Sequence, residues 1–433
     1  MVVKTRSNLI NFLETEFSKN MDVFVPFEKK PKIGVAVSGG SDSLALILLA
    51  KNWVKKFGGS VIGITVDHSL RNSSFEEALS VERQLKKLDI QHKIIKYQGL
   101  IPKSRIQEVA RNYRYKLLSE FCENNNIFHL LVGHHSLDQR ETCLMRSWRD
   151  SGFIGMAGMS AIREFNSYRL LRPLLNFDHN DLKNYLLEKK ITWIEDQTNK
   201  NNFFLRVKAR KYLAGKNWSI DKLYAEKRIK FEKAISKFFA LNAEVNDLGF
   251  VRFNLKQFLK LNRDFRQQIL SRSIITVAGL EYSPSMRGLK RVSEHFTRFS
   301  NSKTLGGCLL IKKKGNLFCV REIRNIDPKQ IEIDAESLLW DRRFKIKMTK
   351  SREKQLKLQR LGRKGFDQVT NAGYYNHCSN IPKVALLSLP ALWDKDKVIS
   401  IPNLGVSLYR DLDVTATFAP IQSLSPLGFA VVN

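Results

Sequence analysis

Along the first two hundred residues, short apolar runs with β character alternate with amphipathic helical runs. Residues 33–37 read as a strand, and residues from about 43 to 56 as the helix after it. Residues 61–66 form a second strand pattern. The next helix starts near Ser73 and Ser74, where Glu76 and Glu77 stand three positions on, as in a doubled capping box. A weaker strand pattern covers 94–97. Ser104 with Gln107 opens a helix running to about 123. Residues 129–133 read as a strand and 137–148 as a helix. This alternation predicts βαβ units, hence an α/β fold built on a doubly wound parallel sheet with helices on both faces. The pattern shifts near 214–218. Residues from 219 to about 299 read as helical and rich in Lys, Arg and Phe. From 327 onward the periodicity is mixed: 345–364 is strongly basic, and 384–406 reads as short strands broken by Pro390, Pro402 and Gly405. The division expected is an α/β domain over 1–215, a helical domain over 216–325, and a small mixed α/β C-terminal domain over 326–433.

The 433 residues suffice for two or three domains of roughly 100–200 residues each. Charge narrows the partner. With 73 Lys+Arg against 42 Asp+Glu, the formal net charge is +31. Such an excess concentrates polyanions around the protein, and nucleic acid is the usual one. An anionic membrane is the rival, but no basic amphipathic helix with a Trp/Phe face stands out. The longest apolar run, 44–50, is far short of the roughly 18 residues of a membrane span, and residues 1–20 lack a signal-peptide core. Five scattered cysteines form no Cys-x-x-Cys, so neither a disulfide framework nor a zinc or iron–sulfur site is indicated. The expected compartment is the cytoplasm.

The strongest chemical signal is Ser38-Gly39-Gly40-Ser41-Asp42-Ser43, between a buried-looking strand and a helix. Glycines allow a tight turn that brings backbone N–H groups to an anion, and the helix N-terminus adds its partial positive charge. No Gly-Lys-Ser/Thr follows, so this is not a Walker loop. A plain Ser/Gly linker fits poorly between a strand and a helix. A carboxylate inside a phosphate loop repels its ligand unless a cation intervenes, which predicts Mg²⁺ between Asp42 and the phosphates. Asp67-His68-Ser69-Leu70-Arg71 follows the second strand, and His134-His135-Ser136-Leu137-Asp138-Gln139-Arg140-Glu141-Thr142 follows the fourth. A histidine after a strand is more often a structural hydrogen-bonder than a catalyst. Ligands of open parallel sheets, however, bind beyond the carboxyl ends of the strands, and that is where these clusters fall. His134, His135 and Asp138 also make a partial zinc set, without a third soft ligand nearby. Arg111 and Arg114, three apart on one helix face, are either a solvated basic face or a pair aimed at phosphate.

The loop resembles the pyrophosphate loop of the N-type ATP pyrophosphatases, which cleave ATP between the α- and β-phosphates. The resemblance becomes specific over about 30–212, where the loop, Val66 to Arg71, Ala110-Arg111 with Arg114-Tyr115, and the His-His-x-x-Asp-Gln-x-Glu-Thr run occur in order. They are joined by Ser151-Gly152, by Gly155 to Met159, by Leu171-Arg172-Pro173-Leu174-Leu175, and by Glu195 to Asn199 leading to Arg206 and Arg210. Late in the chain come Leu389-Pro390-Ala391-Leu392-Trp393 and Ile401-Pro402-Asn403-Leu404-Gly405. Together these resemble the tRNA(Ile)-lysidine synthases. The resemblance implies that 1–215 is an adenylating domain and that the two later domains grip tRNA. It implies ATP-dependent activation of the wobble cytidine of tRNA(Ile) with a CAU anticodon, followed by attack of free L-lysine. It further implies Asp42, Arg111, His134, His135, Asp138 and Arg206 as catalytic, and Ser38–Ser43, Asp67 and His68 as ATP-binding. Arg114, Arg206 and Arg210 would bind tRNA, and Asp42 with Asp138 would hold Mg²⁺. A homodimer stays open. The chain departs from the family pattern at Leu137, where an Asp is usual, and at Asn201 and Val207. The alternatives are a tRNA thiolase of the same ATP class, which commonly needs paired cysteines, and a basic RNA-binding protein without turnover.

Overall fold

The structure, a computed structural model, describes residues 6–67, 74–96, 106–149, 151–165, 167–195, 205–216, 218–298, 301–329, 331–332, 337–348, 356–374, 380–409, 412–426 and 428–432. Side chains of 6–8, 106–112, 297–298 and 332 lie outside that description. The chain divides into two compact units, Met1–Glu232 with Leu427–Asn433, and Lys233–Pro426.

The first unit opens with α1 (Arg6–Asp22), whose Leu9, Leu13, Phe17 and Met21 recur every four residues and so share one buried stripe. Alternation follows: β1 (Lys32–Ala36), α2 (Ser41–Lys55), β2 (Ser60–Asp67), α3 (Ser74–Lys87), β3 (Gln91–Lys96), α4 (Ile106–Asn124), β4 (His129–Leu131), α5 (Ser136–Ser147) and the short α6 (Phe153–Met156). Then come β5 (Ile162–Glu164), β6 (Arg169–Leu171), α7 (His179–Glu188) and α8 (Leu205–Leu213). The sheet order is β3-β2-β1-β4-β6-β5, parallel except for the antiparallel edge strand β5. Both faces are covered, as a parallel sheet requires. Ile33, Val35, Leu131 and Leu171 pack into a core with α1, α2 and α7, while Ile64, Leu130 and Leu170 face the other way onto Leu118 and Cys122 of α4. Alternate strand residues thus feed opposite layers, because successive side chains of a strand point to opposite faces. After β1 the chain winds towards β2 and β3; after β3 it crosses to β4 on the far side of β1. That reversal makes the carboxyl end of β1 a switch point, the usual ligand crevice of such a sheet. The doubly wound fold class is as expected.

The second unit is less helical than its residue pattern suggests. The boundary falls within α9 (Lys222–Asn242), but the expected helical run is then broken by a hairpin of β7 (Ala243–Asn246) and β8 (Phe250–Asn254). The reason is local. Gly249 takes a left-handed φ of 76°, its N–H donates to the Asn246 carbonyl at 2.9 Å, and the Asn246 side chain accepts from Leu248 N–H at 3.0 Å. The helices α10 (Leu255–Lys260), α11 (Arg263–Ala278) and α12 (Met286–Arg298) follow, then β9 (Ser302–Leu305), β10 (Cys308–Lys313) and β11 (Asn316–Arg321) complete an antiparallel sheet of order β7-β8-β11-β10-β9. The basic stretch 345–364 carries β14 (Phe344–Met348) and β15 (Lys357–Arg360), after β12 (Ile331–Glu332) and β13 (Ser337–Trp340). Then come α13 (Gly362–Asn371) and α14 (Lys383–Leu387), and the strands read in 384–406 are β16 (Pro390–Asp394), β17 (Lys397–Ile401) and β18 (Val406–Ser407), with β19 (Val414–Phe418) last. They form sheets of order β12-β15-β16-β17-β18 and β13-β14-β19.

Candidate active site

The loop after β1 owes its shape to Gly39, whose φ is 85° and whose added Cβ would come within 2.9 Å of Ile194 and Val81 side-chain carbons. Only glycine meets both demands. The Gly39 carbonyl accepts from Ile194 N–H at 2.9 Å. The Ser43 hydroxyl pins the turn, accepting from Ser38 N–H at 3.1 Å and donating to the Gly40 carbonyl at 2.9 Å. Gly40 caps α2 in extended conformation without a side-chain hydrogen bond, so Ser41, Asp42 and Ser43 lie in the first turn, where backbone N–H groups lack intrahelical partners. At Gly133, just beyond β4, a Cβ would press to 3.2 Å on the Asp42 backbone. The exits of β1 and β4 therefore lie against each other.

Asp42 is the meeting point. Its Oδ1 lies 2.8 Å from His179 Nδ1 and its Oδ2 3.6 Å from His135 Nε2. The two imidazoles stack at 4.9 Å between centroids. His135 caps α5: its Nδ1 accepts from Leu137 N–H at 3.3 Å, and its own N–H donates to Asp138 Oδ2 at 2.9 Å. With Nδ1 accepting, the ring proton sits on Nε2, which lies 3.6 Å from carboxylate oxygens of both Asp42 and Asp138. Burial works against the charge on Asp138, but the electrostatic pull of His135, Arg206 and His134 outweighs it and holds its carboxyl below the ordinary carboxylate range. Asp138 Oδ1 accepts from Arg206 Nη2. Arg206 Nε also donates to Glu141 Oε2 at 2.6 Å, and Arg210 Nε to Glu141 Oε1 at 2.7 Å. Glu141 is fully buried, one oxygen on each arginine. A continuous line of charge-assisted contacts thus runs from Asp42 through His135 and Asp138 to Arg206, Glu141 and Arg210.

Asp67, at the end of β2 on the same sheet edge, is buried and accepts from the Ser74 hydroxyl at 2.6 Å. His134 lies between β4 and His135, its N–H donating to the Val132 carbonyl at 3.0 Å. Arg114 is exposed on α4, outside the line of contacts just described. His68 and Asn201 lie outside the described residues, and so does the side chain of Arg111. Leu137 packs against Leu144, Ala209 and Leu213 between α5 and α8, so the residue that departs from the family pattern serves helix packing here.

Two residues of this site escaped sequence reasoning. His179 stands first in α7, after the Asp178 N-cap, whose side chain accepts from Asn180 N–H at 2.8 Å. That cap was the available signal, but nothing local points it at Asp42. Glu141 was visible in the motif without its role as the shared partner of two arginines. Among the described residues, Asp42, His135 and His179 form a group able to hold a metal ion, one ligand atom from each lying within 4.8 Å of the others.

A family model described as "PP-loop domain" matches residues 13–216. The chain is 30% identical over 429 residues to a tRNA(Ile)-lysidine synthase of Orientia tsutsugamushi, covering 94% of this chain and 96% of that protein. It is 34% identical over 327 residues to one from Wolbachia pipientis wMel, covering 72% and 76%. With one from Rickettsia bellii the identity is 28% over 430 residues, covering 94% and 97%.

Proposed function

The chain belongs to the tRNA(Ile)-lysidine synthases, and from that membership we propose how its residues carry out the reaction. It is an ATP-dependent ligase that modifies tRNA. The cytidine carbonyl oxygen at the wobble position attacks the α-phosphorus of ATP, and pyrophosphate leaves. The ε-amine of free lysine then attacks the activated ring carbon, and AMP leaves. The product base pairs with A instead of G, so the tRNA changes from reading AUG to reading AUA.

The observation that carries this reading is the convergence of the Ser38–Ser43 loop and the His135–Asp138 cap on one carboxylate, Asp42, at the switch point of the sheet. The loop amides and the first turn of α2 bind the phosphates of the departing pyrophosphate. Mg²⁺ fits beside them: it takes one or two carboxylates and completes its shell with phosphate oxygens, and Asp42 supplies a partly exposed carboxylate in the loop itself. When bound, the ion neutralises charge that builds on the phosphates. Asp138 has both oxygens engaged, by Arg206 and by the His135 N–H, so it would contribute to the metal only after giving up one of them. The same release would free an oxygen to orient the lysine ammonium, with His134 or His135 relaying the proton that must leave before attack. Arg206 and Arg210 serve the tRNA side: Arg206 steadies Asp138, and both partly exposed guanidinium groups are open to tRNA phosphate. The basic regions 216–325 and 326–433 dock tRNA through its phosphates, which position a substrate without reading its sequence.

Sulfur transfer, the rival within this ATP class, needs accessible thiolates. The four described cysteines are buried, and burial pushes the Cys122 thiol up to about 12 and that of Cys143 to about 11.

The test is lysine incorporation. Purified protein, ATP, Mg²⁺ and radiolabelled lysine are offered tRNA(Ile) with a CAU anticodon and, separately, initiator tRNA(Met), which shares that anticodon. Label should enter only the former, and Asp42→Asn should abolish pyrophosphate release with the fold intact. Equal labelling of both tRNAs, or labelling of neither, defeats the proposal.

A further inference from the structure

The line of charges at the head of α5 continues, at the other end of the same helix pair, into a feature the reaction described above does not use. Trp148, at the C-terminus of α5, and Tyr212, in the last turn of α8, meet edge-to-face with ring centroids 6.2 Å apart and planes at 85°. Aromatic pairs prefer that geometry, yet this pair is not in the core: Trp148 is 44% exposed and Tyr212 47%. The packing between the helices is done by Leu144, Ala209 and Leu213, which leave both rings on the outside. Lys216 Nζ sits 3.6 Å from the Tyr212 ring centroid, a close cation–π contact.

The surroundings indicate the occupant. Residues 205–216 contain no acid. Of their cations, Arg206 and Arg210 are committed to Asp138 and Glu141, whereas Lys208, Lys211 and Lys216 are exposed, as is Arg149 beside Trp148. Exposed aromatic rings fringed by cations are the combination that holds single-stranded nucleic acid: the ring takes a base, and the cations follow the backbone. Along the helix pair Asp138 meets Arg206, Glu141 meets Arg210, and Trp148 meets Tyr212. Trp148 is ten residues beyond Asp138, hence about 15 Å along α5, a few nucleotides away along an extended strand.

We propose that Trp148, braced by Tyr212 and Lys216, is a stacking platform for an unpaired base of the tRNA anticodon loop near the cytidine under modification. This rests on the reading that tRNA is the substrate. Bases of such loops are already unstacked at low cost, and stacking on an aromatic face is a recurrent way to hold them. The platform helps to keep the loop open while the target base is in the cleft, and it does so for any base, because every base has a π-face.

The experiment measures binding of a synthetic anticodon stem–loop of tRNA(Ile), and of the same stem–loop with single abasic positions, to wild type, Trp148→Ala, Trp148→Phe and Tyr212→Ala. Trp148→Ala should weaken binding of the intact stem–loop roughly tenfold. Trp148→Phe should recover most of that loss, Tyr212→Ala should fall between, and ATP affinity and melting temperature should stay at the wild-type level. One abasic position should cost wild type a similar factor and cost Trp148→Ala nothing further. If Trp148→Ala binds the stem–loop as tightly as wild type, as it would were the patch a protein-docking face, the proposal is overturned. It is also overturned if every abasic position costs both proteins equally. Lysine incorporation by wild type, measured in parallel, separates this from the reaction itself. Ligation together with an indifferent Trp148 rejects only the platform, whereas a Trp148-dependent stem–loop affinity without ligation rejects only the reaction.

Discussion

Replacing Glu141 by Gln tests whether the buried carboxylate holds Arg206 and Arg210 or merely fills space. Gln keeps the volume and one acceptor oxygen, but it turns the other end into an N–H donor facing an arginine Nε–H. One of the contacts at 2.6 and 2.7 Å must therefore break. Removing one partner of a fully buried pair costs roughly 3–5 kcal/mol. Here the arginine side chains are 39% and 41% exposed, so water takes over part of the lost interaction. That brings the expected cost down to about 2 kcal/mol. For a unit of this size the melting temperature should drop by about 4–8 °C. The functional effect should exceed the structural one. Arg206 also holds Asp138, and once released from Glu141 it no longer fixes that carboxylate. Misplacing a catalytic group in this way costs roughly tenfold or more in rate. The assay pairs a thermal melt with single-turnover lysidine formation at saturating ATP and tRNA, in which ATP affinity should remain unchanged. A Glu141→Gln protein that melts and turns over like wild type would show that the arginines are positioned without the carboxylate, and the line of contacts from Asp42 to Arg210 would lose its functional meaning.

Gly39→Ala should lose pyrophosphate exchange almost completely while the second unit stays folded. A methyl group at a φ of 85° would sit 2.9 Å from Ile194 and Val81 side-chain carbons, and the loop amides would turn away from the phosphates. Normal ATP affinity in that variant contradicts the loop assignment. Acidification gives a separate handle on the fold. His92 and His129 both have pKa values lowered chiefly by burial. Their contribution is fully present above the unfolded histidine value and is lost as pH falls through it towards the depressed folded value, because the unfolded chain takes up protons that the folded chain refuses. Melting temperature should therefore fall below about pH 6.5, and it should fall less steeply in His92→Gln. A pH profile identical in the two proteins would remove His92 as a cause.

What the chain reveals without its fold is whatever depends on neighbours in sequence. Gly39 and Gly40 between a strand and a helix, Ser73-Ser74 ahead of Glu76-Glu77, and the alternation of apolar runs through 130 are local requirements of backbone and pattern, and they suffice for a parallel sheet with a phosphate loop at its carboxyl edge. The turn at Asn246–Gly249 was equally local, but the helical character of the residues around it hid it. Other features were beyond any reading of spacing. His179 reaches Asp42 across 137 positions, brought there because α7 packs beside α2 in one core. Arg206 and Arg210 meet Asp138 and Glu141 only because Leu144, Ala209 and Leu213 press α8 onto α5. That same packing holds Asp138 ionised in a buried place and leaves Trp148 and Tyr212 outside. A carboxylate's charge state and a ring's exposure are set by what surrounds them in space, and the surroundings of these residues come from segments far apart in the chain.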